Sequence, residues 1–261
     1  MTLALIAGRG DLPAAVHRAA GGAVVCGYEG VTLSGLTADL TFRLETLGTL
    51  LVQLGERGVT EVCFAGGIDR PTLDPTKLDA ETAPLVPLFM EGLKKGDDGA
   101  LGVVVDLFER TGFTVRGAHE IAPDLLAEGG VYGQVWPDAQ MRGTATLAAA
   151  HLLKLSPQDI GQACVVGRHG VIAMEDADGT DAMLARVAAQ GQDAILFKGP
   201  KAQQSRLVDL PTVGPATFEA AARAGLRGVV VDAGDVIVLD APACTAAADA
   251  HGLVFWARTG E

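Results

Sequence analysis

The chain has 261 residues, 49% hydrophobic and 20% charged, with a formal net charge of −12. That length holds one large or two modest domains, and the apolar fraction supplies a sizeable core and excludes disorder. The acidic balance excludes general nucleic-acid binding, which needs a basic surface, although a local group of cations or a metal can reverse the field in one cleft.

Leu3–Ala7 reads as a short buried strand that runs into Gly8-Arg9-Gly10-Asp11-Leu12-Pro13 and then a helix to about Ala20. Strand, glycine turn and helix aim backbone N–H groups at a phosphate. Ala23–Cys26 is a second strand. Glu29 follows Gly10 by 19 residues, near the spacing of a ribose-binding acid in a Rossmann unit, but Pro13 stands in place of the third glycine. Dinucleotide binding, a general phosphate or sugar contact, and a structural turn all remain open for Gly8 and Gly10. A helix over about 44–57 is apolar at Leu47, Leu50, Leu51 and Leu54, the spacing of one helix face. Val59–Ala65 is a third strand, followed by Gly66-Gly67-Ile68-Asp69-Arg70-Pro71. Ligands of open parallel sheets bind off such carboxyl ends, so Gly66, Gly67 and Arg70 are phosphate-contact candidates, with a solvated loop arginine as the plain alternative.

Asp97 and Asp98 open a helix that runs to about Thr111, as cap and first-turn acid or as metal ligands. Phe113–Ile121 reads as one strand. Residues 131–143 carry glycine, proline and two large aromatics, Tyr132 and Trp136, without a period. They are expected to link an N-terminal domain, 1–130, to a C-terminal domain, 144–261. A helix over 144–155 ends before Pro157.

Val165–Val166, the turn Gly167-Arg168-His169-Gly170 and Val171–Met174 form a predicted hairpin. Glu175 ends its second strand, and Gly179-Thr180-Asp181 opens a helix with Thr180 as predicted N-cap. Glu175 and Asp181 could hold a metal, or Asp181 could serve only the helix dipole. Asp193–Lys198 is a strand. Lys198, Lys201 and Arg206 then place three cations within nine residues ahead of Asp209-Leu-Pro, suited to offsetting phosphate charge beside a carboxylate that orients water or ligates a metal. Gly228–Val231 and Val236–Leu239 look like strands paired around Gly234. Cys26, Cys63, Cys164 and Cys244 form no Cys-x-x-Cys pair and read as buried free thiols. With no leader and no apolar run of membrane-span length, a cytoplasmic protein is expected, with peripheral membrane contact allowed.

Taken together, Ile6–Pro13, Gly66–Pro71, Gly96–Asp98, Gly112–Ala118, Asp159–Ala163, Glu175 with Gly179–Leu184, and Asp209–Gly214 resemble the LpxI-type UDP-2,3-diacylglucosamine pyrophosphatases of lipid A biosynthesis. The resemblance spans nearly the whole chain, with departures at Ser205 and Leu207, where an acid and an arginine are expected. It implies an α/β protein of two domains, an N-terminal Rossmann-like parallel sheet with helices and a smaller C-terminal α/β domain, with the site in a cleft between them. It also implies hydrolysis of UDP-2,3-diacylglucosamine to UMP and 2,3-diacylglucosamine 1-phosphate (lipid X), water attacking the β-phosphorus with a divalent cation, usually Mg²⁺. Asp209 is the expected catalytic residue. Gly8, Gly10, Gly66, Gly67, Arg70, Gly179, Thr180, Lys198, Lys201 and Arg206 are expected to bind substrate, and Asp98, Glu175 and Asp181 to bind metal. The UDP-linked lipid substrate and lipid X are the expected partners, and a homodimer is left open. The competing readings are an NAD(P)-dependent oxidoreductase using the first glycine turn, and a non-catalytic nucleotide-sugar or lipid-binding module.

Overall fold

The computed structural model describes residues 2–68, 73–88, 96–155, 161–187, 193–201 and 205–260, with backbone alone for 96–100. The chain divides into two compact units, Met1–Pro123 with Ser205–Asp209, and Asp124–Gln204 with Leu210–Glu261.

Unit 1 contains β1 (Leu3–Ala7), α1 (Leu12–Ala19), β2 (Val24–Tyr28), β3 (Leu40–Phe42), α2 (Leu47–Glu56), β4 (Glu61–Ala65), α3 (Gly96–Arg110), β5 (Thr114–Arg116) and the short α4 (Ala118–Ile121). Its five strands are parallel in the order β3-β2-β1-β4-β5. This is the doubly wound order, and its direction reverses between β1 and β4. The predicted helical face is the buried one: Leu47, Leu50, Leu51 and Leu54 pack with Phe42, Val62 and Phe108 in one core. Full burial of each such leucine contributes about 1.5–3 kcal/mol. Leu207 and Val208 pack against the same core, so the non-cationic residue at 207 has a packing role. The strand expected over 113–121 stops at Arg116. Gly117 N–H donates to Glu120 Oε2 at 2.7 Å, and that side-chain cap turns the chain into α4 instead.

Unit 2 contains β6 (Gly130–Tyr132), α5 (Ala139–Leu155), β7 (Ala163–Gly167), β8 (Gly170–Met174), α6 (Gly179–Val187), β9 (Ile195–Lys198), β10 (Thr212–Val213), α7 (Pro215–Arg223), β11 (Gly228–Asp232), β12 (Ile237–Val238), α8 (Ala241–His251) and β13 (Val254–Arg258). Expected to be the smaller, it carries the wider sheet, six strands in the order β6-β13-β11-β9-β7-β8. The middle strands β13, β11 and β9 are parallel, and β6, β7 and β8 complete the sheet in antiparallel pairings. One face packs beneath α5; the other buries Met183, Phe218 and Cys244 from α6, α7 and α8.

Two expectations change here. The stretch 131–143, read as a linker, carries structure: Val131 and Tyr132 pair with β13, the Tyr132 ring stacks on Phe255 with centroids 4.9 Å apart, and α5 already begins at Ala139. Strand pairing and aromatic burial outweigh the turn-rich composition of that stretch. β11 and β12 do not pair with each other, because β11 lies between β9 and β13 while β12 pairs with β10. The glycine at 234 is therefore a loop residue, not a hairpin tip. Among the described residues, no helix is long and apolar enough to cross a membrane. All four cysteines are buried and free, and burial pushes each thiol up to about 12.

Candidate active site

The carboxyl end of β9 carries a buried charge cluster. Lys198, its last residue, donates from Nζ to Thr180 Oγ1 at 2.8 Å and stands 3.7 Å from Glu175 Oε1. The Thr180 hydroxyl donates in turn to Glu175 Oε1. The other carboxylate oxygen, Oε2, accepts from Gln162 N–H at 2.6 Å. Only 11% of the Lys198 side chain and 10% of the Glu175 side chain are exposed, so each charge depends on the other, since burying one alone costs several kcal/mol.

The local sequence explains the arrangement. Gly161 adopts φ +25°, and a Cβ there would fall 2.4 Å from the Glu175 carbonyl oxygen. Glycine lets the chain pass close enough for Gln162 to cap the carboxylate. The backbone of Gln162 also receives Gly199 N–H at 3.1 Å, tying the β7 entry to the β9 exit. Thr180 is not the N-cap expected of it. The helix already includes Gly179, and within the first turn the Thr180 hydroxyl is turned to the bridge between Lys198 and Glu175, using both its donor and its acceptor.

A second buried pair stands at the neighbouring strand ends. Arg258 Nε donates to Asp232 Oδ1 at 2.8 Å, and its guanidinium lies 5.6 Å from the Phe197 ring centroid. Burial pushes the Asp232 carboxyl above the usual range, against the pull of Arg258. A Cβ on Gly199 would meet Asp232 Oδ2 at 2.7 Å. Neither Asp232 nor Arg258 is expected from sequence, where Gly228–Val231 reads only as a strand. The available signal was a single charge ending each apolar run.

In unit 1 the two glycine turns meet at the switch point. Gly8 N–H donates to Ala65 O at 2.8 Å, and Arg9 and Gly67 exchange both backbone bonds at 2.8 and 3.1 Å. Gly66 has φ +85°, and its Cβ would lie 2.5 Å from Arg9 O. A Cβ on Gly8 would strike the Gly66 carbonyl carbon at 2.6 Å. The donors expected to cradle phosphate at Gly8 and Gly67 are therefore committed to backbone, and Gly8 and Gly66 are explained by close approach of two loops. Gly10, at φ +90°, has open space where its Cβ would be.

Two family models cover the chain: the LpxI N-terminal domain matches residues 2–125 and the LpxI C-terminal domain residues 128–256. The chain belongs to the LpxI family. It is similar to the UDP-2,3-diacylglucosamine pyrophosphatase LpxI of Caulobacter vibrioides, 39% identical over 215 residues that cover 79% of this chain and 77% of that protein. The boundary between the two LpxI domains falls close to the division at Pro123 and Asp124.

Within this LpxI framework the expected residues separate into groups. Glu175, Thr180 and Lys198 come together. Asp181, one residue beyond Thr180, is exposed and lines a groove of about 200 Å³ with Leu184, Ala220 and Arg223. Gly179, at φ +85°, makes the turn into α6. Lys201 is half-buried, Arg206 exposed, and Asp209 half-buried, with Arg206 and Asp209 in the segment that clusters with unit 1. Arg70 and the Asp159–Ile160 half of its motif lie outside the described residues, and Asp98 is placed on α3 by backbone alone.

Of the expected metal set, Asp98 has no described side chain, which leaves Glu175 and Asp181. Among the described residues, no three His, Cys, Asp or Glu side chains lie close enough together to hold an ion. Glu175 has both oxygens engaged by Gln162 and Thr180, with the Lys198 ammonium already beside it. The described residues by themselves build no all-protein cage for Mg²⁺.

Proposed function

We propose that this chain hydrolyses the pyrophosphate of UDP-2,3-diacylglucosamine to UMP and 2,3-diacylglucosamine 1-phosphate. Water attacks the sugar-side phosphorus, a new P–O bond forms, and the bridging P–O bond breaks to release UMP. Membership of the LpxI family and the name of the Caulobacter vibrioides relative supply the reaction class. The observation that carries the reading is the buried Lys198 ammonium at the carboxyl end of a parallel strand, the edge where such sheets take ligands.

In this reading Lys198 faces developing negative charge on the phosphates. A preorganised cation in a water-poor site is worth far more than the same charge in solvent. Thr180 and Glu175 fix the ammonium in one place, and Asp209 takes the proton of the attacking water. Mg²⁺ usually keeps most of its ligands as water and substrate phosphate oxygens with one or two carboxylates. A divalent cation of this kind, when bound, offsets pyrophosphate charge without an all-protein cage.

An oxidoreductase reading draws on the strand order of unit 1, yet the N–H groups of Gly8, Arg9 and Gly67 are taken by backbone carbonyls. The test is purified protein with Mg²⁺ and UDP-2,3-diacylglucosamine, followed for UMP. The wild type is expected to release UMP, and Asp209→Ala to lose at least about a thousandfold in turnover. Retention of the substrate without UMP release supports a binding module and defeats the hydrolase reading. Undiminished turnover in Asp209→Ala removes Asp209 from the mechanism.

A further inference from the structure

We propose that the outer face of α5, with Trp136 ahead of it and Val171 beside it, is a membrane-docking surface that seats on a bilayer carrying anionic lipid. Of the five large apolar side chains exposed among the described residues, four lie on α5, just ahead of it or on β8: Trp136 at 68%, Leu147 at 61%, Leu153 at 56% and Val171 at 37%. Leu147 and Leu153 lie opposite the buried stripe Met141, Ala145, Ala148 and Leu152 that covers the sheet. Val171 pairs with Val166, a member of the core beneath α5, so its side chain belongs to the same sheet face.

The charge of this face sets it apart. The whole chain carries −12, yet α5 runs for 17 residues without an Asp or Glu and holds Arg142, His151 and Lys154. Asp138, just before the helix, is tied to Arg227 at 2.7 Å and caps Met141 N–H. An acidic protein is repelled by an anionic surface everywhere except where its acids are absent. Here that opening coincides with a tryptophan and leucines, the residues that enter the headgroup boundary beside basic side chains. A two-fold pairing of this face with a second copy would instead set cations on cations. The inference goes beyond the reaction proposed above and does not depend on it.

The test is sedimentation of the full chain with vesicles of phosphatidylcholine alone and of equimolar phosphatidylcholine and phosphatidylglycerol. Binding is expected to the mixed vesicles and to weaken as salt is raised. Tryptophan emission should shift to the blue on binding in the wild type and not in Trp136→Phe. Leu147→Glu/Leu153→Glu should bind at least about tenfold more weakly, and Leu147→Ser/Leu153→Ser, checked by circular dichroism, guards against misfolding of the charged variant. No binding to the mixed vesicles, or binding that the leucine substitutions leave unchanged, overturns the proposal. A dimer by light scattering that those substitutions dissociate, with vesicle binding unaltered, gives the face to a second copy of the chain. The assay reads no turnover, so its failure is separate from any failure of the pyrophosphatase reading.

Discussion

Both units offer the carboxyl ends of parallel strands, and they use them differently. At the switch point of unit 1 the space is filled by backbone: two glycine turns exchange hydrogen bonds across β1 and β4. At the matching edge of unit 2 the strand ends carry charge: Lys198 with Glu175, and Asp232 with Arg258. The buried polar groups of the two units follow the same division. In unit 1, Glu45 accepts Asp74 N–H at 2.7 Å and Thr82 accepts Gly48 N–H at 2.8 Å, so both hold the 74–82 loop against the core. In unit 2, Glu175 and Lys198 hold each other. The polar groups that dock the loop accept from backbone, whereas Lys198, held by one hydroxyl beside one carboxylate, still has N–H donors to give a ligand.

The strongest test of that contrast is Lys198→Met. It is expected to lower UMP release by about a hundredfold or more, and also to destabilise unit 2, because Glu175 is left buried without its cation. The double variant Lys198→Met/Glu175→Gln separates the two effects. Its thermal stability should return toward wild type while turnover stays low. If turnover returns with stability, Lys198 serves only the fold.

On the other side of the comparison stand two adjacent glycines. Gly66→Ala puts a methyl 2.5 Å from Arg9 O at φ +85°, and should cost about 1–3 kcal/mol or more in denaturant titrations. Gly67→Ala meets nothing closer than Arg9 Nη2 at 3.9 Å, so stability should hold to within about 0.5 kcal/mol. A large fall in turnover for Gly67→Ala at unchanged stability would show that substrate approaches this backbone after all.

Much of this was legible in the sequence. The leucine period of α2 and the hairpin read over 165–174 were written in apolar spacing, which packing then obeyed, with the first strand starting two residues earlier at Ala163. The motifs around 161–162 and 175–180 were visible as separate pieces, but not their purpose. That Gly161 is shaped by Glu175, 14 positions later, is a matter of tertiary approach and leaves no local mark. Thr180 resembled a cap because Gly-Thr-Asp is a good cap sequence; a hydroxyl one residue inside the helix found buried charges instead. Asp232 and Arg258 escaped notice because nothing in a strand pattern reveals that two strand ends, 26 residues apart, become neighbours.

Thr180 gives a finer test of the buried chain Lys198–Thr180–Glu175. Thr180→Val keeps the shape and removes the hydroxyl, leaving both charges short of one hydrogen bond. A cost of about 1–3 kcal/mol in stability is expected, with turnover down about tenfold as the ammonium loses its fixed position. Thr180→Ser should restore most of both. If Thr180→Val lowers stability alone, the bridge is structural and the ammonium finds its place without it.

The smallest effects come from one depressed carboxylate in each unit. Arg227 holds Asp138 below the usual range, with help from Met141 N–H. In unit 1 the Gly117 N–H bond does most to lower Glu120, with Arg116 adding to it. Both folded values lie below the unfolded ones, so each contributes stability that is present above the unfolded carboxylate value, about 4, and is lost as pH falls through the folded value. Thermal melts of Asp138→Asn and Glu120→Gln should therefore differ from wild type at pH 7 and converge on it in acid. Salt tells the two causes apart. The Asp138–Arg227 contribution rests on an exposed ion pair and should shrink at high ionic strength, whereas that of Glu120 rests first on a backbone hydrogen bond and should shrink less. An equal response to salt would mean that the Arg116 charge, not the Gly117 bond, anchors Glu120.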